Sequence, residues 1–273
     1  MSDKNIQLSV VVPLFNEEDN VNALFDRIHK VLGEMDLTTE LIFVNDGSKD
    51  KTLAKVFIIA QEHKWVKYID LSRNFGHQLA IFAGIERANG QYIVVMDGDG
   101  QDPPECIPEL YEKALSGYEV VYAKRRKRKG ENFMKKFTAK VFYRILARIT
   151  QIEIPVDTGD FRIIHRKIRD ILVTMPEQHK YIRGQISWIG FNQTFIEYDR
   201  DERMHGETKF TYKKMMRFAL DGISSFSTWP LKVATITGFV VSGASFLLIV
   251  YSLYQKFFGY TERGWTSMQI SIL

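Results

Sequence analysis

Five short runs of apolar, β-branched and aromatic residues recur through the first 125 positions: Leu8–Pro13 (LSVVVP), Leu41–Asp46 (LIFVND), Val66–Leu71 (VKYIDL), Tyr92–Asp97 (YIVVMD) and Glu119–Ala123 (EVVYA). They are continuous rather than alternating, the pattern of strands buried on both faces. Between the first two, Val21, Leu24, Phe25, Ile28, Val31 and Leu32 recur at helical spacing, and comparable stretches follow each of the next three runs. Repeated βα units of this kind predict an α/β fold with a mainly parallel sheet. Ligands of such sheets bind beyond the carboxyl ends of the strands.

Those ends are where the chain places its polar residues, in the loops PLFNEED, NDGSKDKT, SRNFGH and DGDGQDPPE. No G-x-G-x-x-G follows the first strand and no G-x4-G-K-[ST] occurs, so neither a dinucleotide fold nor a P-loop is supported. The fourth loop carries most of the chemistry. Carboxylates packed this closely at the end of a buried strand repel one another and call for a cation. With no Cys or His in the motif, the donor set specifies Mg²⁺ or Mn²⁺ rather than zinc. If the strand persists, Asp97 and Asp99 point to opposite sides, one meeting a sugar or ribose and the other the metal. His77, His179 and His205 have no metal-ligand spacing and receive no role.

An apolar fraction of 45% with 13% aromatics supports a real core, and the single cysteine, Cys106, excludes an intramolecular disulfide. The N-terminus lacks the basic-then-apolar pattern of a signal peptide, so the first domain is expected in the cytosol. Lys124–Arg148 holds 11 Lys or Arg against one Glu in a chain of net charge +4. Such a block suits nucleic acid, anionic lipid or a phosphorylated substrate. Within it, residues 132–151 oppose a Phe/Ile/Leu face to a Lys/Arg face, predicting a helix at a membrane interface or one docked on the sheet. Val233–Leu253 is 21 residues without a charge, ~31 Å as a helix, which matches a bilayer's hydrocarbon. The flanking Lys213, Lys214, Arg217 and Lys232 put the preceding domain in the cytoplasm. The expected organisation is a catalytic domain over 1–210, a juxtamembrane helix over 211–230, a transmembrane helix over 231–255, and a loop with the start of a second span over 256–273.

Taken together, VVVPLFNEEDN, VNDGSKDKT, LSRNFGHQ and DGDGQDPPE resemble the family-2 glycosyltransferases with a GT-A fold, specifically those that join a nucleotide sugar to a polyisoprenyl phosphate. DTGDFR, HGETKF and the C-terminal apolar helix extend the resemblance over nearly the whole chain, most closely to bacterial undecaprenyl-phosphate glucosyltransferases. The resemblance implies that Pro13, Asn16, Glu17 and Asp46 hold the nucleotide, with Asp97 by the ribose or sugar and Arg73 near this edge. It implies Asp99 and Gln101 as ligands of a metal on the diphosphate. Asp157 and Asp160 are both candidates on the acceptor side, and the match on GDFR favours Asp160 as base or orienting group. Arg125, Lys136, Arg203 and Lys209 match positions that would hold the acceptor phosphate. The implied reaction is inverting transfer of a hexose, taken as glucose from UDP-glucose, to undecaprenyl phosphate. A multi-pass protein of the inner membrane is implied, with a homo-oligomer through its membrane helices.

Four other readings compete. Transfer of mannose from GDP-mannose to dolichyl phosphate fits the same motifs. A catalytically silent membrane scaffold conflicts with the intact Asp97, Asp99, Gln101 and Asp160, and a processive synthase with QISW at Gln185–Trp188, which lacks the arginine of Q-x-x-R-W. Nucleic-acid binding would use the basic block but leaves the apolar helix unexplained.

Overall fold

The computed structural model describes residues 6–126, 158–177, 180–199, 229–259 and 264. The interfacial helix expected over 132–151, the juxtamembrane helix over 211–230, and Asp157, Lys136, Arg203 and Lys209 lie outside them, as does nearly all of 260–273. The chain divides into two compact units, Met1–Phe218 and Ala219–Leu273.

The first unit is built on seven strands, β1 (Leu8–Leu14), β2 (Thr39–Asn45), β3 (Val66–Asp70), β4 (Tyr92–Val95), β5 (Val120–Arg125), β6 (Thr158–His165) and β7 (Gln193–Tyr198), in the order β3-β2-β1-β4-β6-β5-β7. All run parallel except β6, which is antiparallel to both neighbours. Helices α1 (Val21–Glu34), α2 (Thr52–Glu62), α3 (His77–Arg87), α4 (Ile107–Leu115), α5 (Arg166–Thr174) and α6 (Ile182–Ile189) connect them. Val10, Val12, Leu41, Phe43 and Val94 pack under α1 on one face of the sheet, while Val11, Ile42, Val44, Ile93 and Val95 pack under α3 on the other. That is why these strands read as unbroken apolar runs.

Two expectations need correction. The third run is an edge strand: Lys67 and Tyr68 are exposed, because among the described residues no strand lies beyond β3. The fourth strand ends at Val95, so Asp97 and Asp99 sit in the loop that follows, and alternation along a strand does not set their directions. Two strands, β6 and β7, complete the sheet beyond the five expected.

Pro13 lies within a central strand, which normally excludes it. Pairing of β1 with β4 stops at Val11↔Val95, so the missing N–H of Pro13 forfeits no ladder bond on that side. Gly98 is held by close approach: a Cβ there would stand 2.4 Å from Leu14 Cδ2 and 2.7 Å from the Pro13 carbonyl. The D-G-D loop therefore folds directly against the end of β1.

The second unit contains α7 (Trp229–Phe257), whose Leu231–Phe257 stretch is long and apolar enough to cross a membrane. At 27 residues it spans ~40 Å, more than a bilayer core needs. It is the one such helix among the described residues.

Candidate active site

Because β6 alone runs backwards, its first residues meet the last residues of the parallel strands. One edge thus gathers the loops after β1, β2 and β4, the N-termini of α3 and α6, and Asp160.

The first two loops are tied to each other. Asn16 adopts a left-handed backbone (φ 54°), a region that asparagine enters more readily than most residues. Its N–H donates to Ser48 Oγ at 3.0 Å and its Oδ1 accepts the Lys49 N–H at 2.8 Å. The Glu17 N–H donates to Thr52 Oγ1 (2.9 Å), and Glu17 Oε2 accepts from Asn20 Nδ2 (2.6 Å). Asp46 accepts the N–H groups of Phe75 (2.7 Å) and Gly76 (3.0 Å), one on each oxygen. Burial pushes its carboxyl up, against these two amides. Gly47 (φ +64°) is required here, since a Cβ would stand 2.4 Å from the Arg73 carbonyl carbon. Asp46 thereby fixes the turn that opens α3, on which Arg73 stacks over Phe75 at 4.7 Å.

That turn delivers His77, which was assigned no role from its spacing. Its Nε2 lies 3.1 Å from Asp160 Oδ2 and 3.3 Å from Asp97 Oδ1. Burial opposes the imidazolium, but hydrogen bonds to Asp160 and Asp97 outweigh it and raise the group to about 10. His77 is therefore a cation at neutral pH.

Asp160 is saturated. Its Oδ1 accepts Arg162 Nη2 at 2.8 Å and Arg183 Nε at 2.9 Å, and its Oδ2 accepts Arg183 Nη2 at 2.9 Å and Gln78 Nε2 at 3.1 Å, beside His77. Burial alone would raise this carboxyl; the charge of Arg183, with the bonds from His77 and Arg183 and the charge of Arg162, holds it well below the usual range. Arg162, 1% exposed, also donates to the carbonyls of Gly159 and Asp160. A carboxylate so stabilised as an anion is a poor proton acceptor. Its geometry suits orienting cations rather than removing protons.

The D-G-D loop completes the edge. Asp97 Oδ1 is buried, with the His77 cation 3.3 Å away as its partner. Asp99 Oδ1 accepts the Gln101 N–H at 3.1 Å across Gly100 (φ +73°), and both Asp99 and Gln101 are 9% exposed. His77, Asp97 and Asp160 bring ligand atoms within 4.8 Å of one another. With His77 protonated and Asp160 saturated these three pair with one another, and the nearly buried oxygen donors of Asp99 and Gln101 are the set that suits a hard divalent cation.

Asp102, wholly buried, accepts the Asp97 N–H (3.2 Å) and the Tyr198 hydroxyl (2.8 Å). Burial, and then the charge of Asp97, push its carboxyl up to about 7. Arg125, the last residue of β5, donates from Nε to the Tyr198 oxygen at 3.2 Å.

The structure thus brings Asp97, Asp160 and the loops of Asn16, Glu17, Asp46, Arg73, Asp99 and Gln101 to one edge. His77, Gln78, Arg162, Arg183, Asp102 and Tyr198 were missed. Arg162 had a signal: it stands two residues after Asp160, on the same side of a strand. His77 and Arg183 reach Asp160 from 83 and 23 residues away, and no local spacing announces them.

The family model for glycosyl transferase family 2 matches residues 9–172. The chain is 50% identical over 270 residues to the uncharacterized glycosyltransferase YkcC of Bacillus subtilis (strain 168), covering 97% of this chain and 82% of that one. It is 37% identical over 269 residues to the prophage bactoprenol glucosyl transferase homolog of Escherichia coli (strain K12), covering 98% and 88%. Among solved structures, glucosyl-3-phosphoglycerate synthase from Mycobacterium tuberculosis, in complex with Mn²⁺, UDP and glucosyl-3-phosphoglycerate, aligns with a TM-score of 0.54 at 17% identity, covering 78% of this chain and 76% of that one. That likeness concerns the fold.

Proposed function

Because the chain belongs to glycosyl transferase family 2, we propose that this glycosyltransferase moves glucose from UDP-glucose to a polyprenyl phosphate at a membrane surface, with inversion at the anomeric carbon. The observation that carries the acceptor class is near-full-length similarity to a bactoprenol glucosyl transferase homolog. The apolar helix Leu231–Phe257 supports it by offering a bilayer anchor.

In this reading an oxygen of the acceptor phosphate attacks the anomeric carbon as the bond to the nucleoside diphosphate breaks, the electron pair leaving on the diphosphate. One displacement turns an α-linked donor into a β-linked lipid phosphate. The acceptor is already anionic near neutral pH, so no strong base is needed. Asp160 fixes Arg183 and His77 toward the reacting groups, and these offset the negative charge of two phosphate-bearing substrates. Asn16, Glu17 and Asp46 shape the nucleotide side with Pro13 and Arg73; Asp97 stands by the sugar. A divalent cation, Mg²⁺ or Mn²⁺, held by Asp99 and Gln101, would stabilise the charge developing on the diphosphate. Arg125 takes the acceptor phosphate, joined by Lys136, Arg203 and Lys209. The catalytic unit faces the cytoplasm from the inner membrane, by the placement of basic residues before the apolar helix.

The test is to incubate the purified protein with undecaprenyl phosphate, Mg²⁺ and a panel of nucleotide sugars, and to identify the lipid product by mass spectrometry. A β-linked hexosyl lipid phosphate formed from UDP-glucose is expected. An α-linked product, or turnover of GDP-mannose in its place, overturns the reading.

A further inference from the structure

Arg125 and Tyr198 are register partners at the ends of β5 and β7, and the contacts beyond them run to the centre of the site. Arg125 Nε donates to the Tyr198 oxygen at 3.2 Å, the Tyr198 hydroxyl donates to Asp102 Oδ1 at 2.8 Å, and Asp102 Oδ2 accepts the Asp97 N–H at 3.2 Å. Asp102 has no cation in direct contact among the described residues, although it is 0% exposed. A buried carboxylate held by neutral donors is a costly way to brace a loop. Tyr198 cannot swing away, being 3% exposed with its ring edge-on to Phe161 at 5.6 Å. Gly159 leaves room for the arginine: a Cβ there would stand 3.0 Å from Arg125 Nη2. Among the described residues Arg125 forms no ion pair, so its charge is open to an anion.

We propose that Tyr198 is a positioning residue that couples the two substrate sides, transmitting the placement of Arg125 through Asp102 to the backbone of Asp97. An anion drawing the Arg125 guanidinium away removes the donor that the fixed Tyr198 oxygen accepts, which alters the bond its hydroxyl makes to Asp102, and Asp102 holds the first residue of the D-G-D loop. The inference rests on reading Arg125 as an acceptor-phosphate ligand, and it predicts that the acceptor phosphate and the metal-bound nucleotide bind interdependently.

The experiment measures the affinity of the full chain in detergent for UDP with Mn²⁺, with and without a saturating short-chain polyprenyl phosphate. In the unaltered protein the acceptor should change that affinity by about fivefold or more. Tyr198→Phe, which keeps the ring, should reduce the change to less than about twofold while leaving the affinity for Mn²⁺–UDP alone within about twofold. Asp102→Asn, which keeps the volume but only one acceptor oxygen, should also reduce the acceptor-induced change, and serves if the first variant folds poorly. Equal coupling in both variants and the unaltered protein, or no coupling in the unaltered protein, overturns the proposal. Arg125→Gln separates this from the functional reading: undiminished binding of the polyprenyl phosphate there would remove Arg125 from the acceptor site, whichever sugar is transferred.

Discussion

Both ends of the sheet bury a carboxylate, and the two are handled differently. At the amino edge, Glu40 (1% exposed) accepts from Ser9 Oγ, the Asn89 N–H and Lys67 Nζ, the last on a half-exposed side chain. One negative charge meets one positive charge and two neutral donors. At the carboxyl edge, Asp160 and Asp97 face Arg162, Arg183 and His77. Those three cations meet two of the edge's carboxylates while Asp46, Asp99 and Asp102 stand beside them. A single pair braces a structure; a cluster of interlocked charges at one edge sets up the field in which charged ligands bind.

The largest expected effect comes from metal removal, because only the carboxyl edge would use a divalent ion. EDTA should lower turnover by about a thousandfold and leave the unfolding midpoint of the unliganded protein unchanged. Full activity in EDTA would remove the metal from Asp99 and Gln101.

Asp160→Asn comes next. It strands the buried Arg162 and releases the partly exposed Arg183, so stability should fall by about 3 kcal/mol, and turnover of the remaining folded protein by about a hundredfold as the cations lose their positions. Glu40→Gln is the matched control: a stability loss of about 1–3 kcal/mol with kcat per folded molecule unaltered. An equal fall in kcat for both variants would break the comparison. Arg183→Lys keeps the charge but not the two-pronged grip on Asp160, and should lower kcat by about tenfold.

The smallest effect is one of pH. His77, raised to about 10 from an ordinary 6.5, binds its proton more tightly folded than unfolded. Its contribution is complete below about 6.5 and is lost as pH rises through 10. Glu40 is lowered from its ordinary value, burial being outweighed by Lys67, Ser9 and Asn89, so its contribution is lost as pH falls. Thermal unfolding from pH 7 to 10 should therefore show a decline that His77→Gln flattens and Glu40→Gln leaves in place. A decline of equal slope in His77→Gln would assign the alkaline loss elsewhere.

Much of this was legible in the chain. Strands packed between two helical layers must be apolar throughout, so β1, β2 and β4 announce themselves. β3 was legible as a strand but not as an edge, since strand order is not encoded locally. β6 was read as a motif, because Asp160 and Arg162 interrupt its apolar run, and those two residues are what the site needs there. The D-G-D loop was legible because its residues are neighbours. Apart from Arg162 on the same strand, the clamp on Asp160 was not, because His77, Gln78 and Arg183 come from the starts of two helices and meet it through the topology.

The reversed direction of β6 has a consequence for how such an enzyme can diversify. β5 leaves the sheet at the catalytic edge and β6 re-enters there, with Lys124 and Thr158 as register partners. The residues between them depart from and return to nearly the same rung of the sheet, beside Arg125 and Asp160. With both ends fixed at that rung, a change of length between them need not alter the register of any strand, so variation there and constancy of the sheet are compatible.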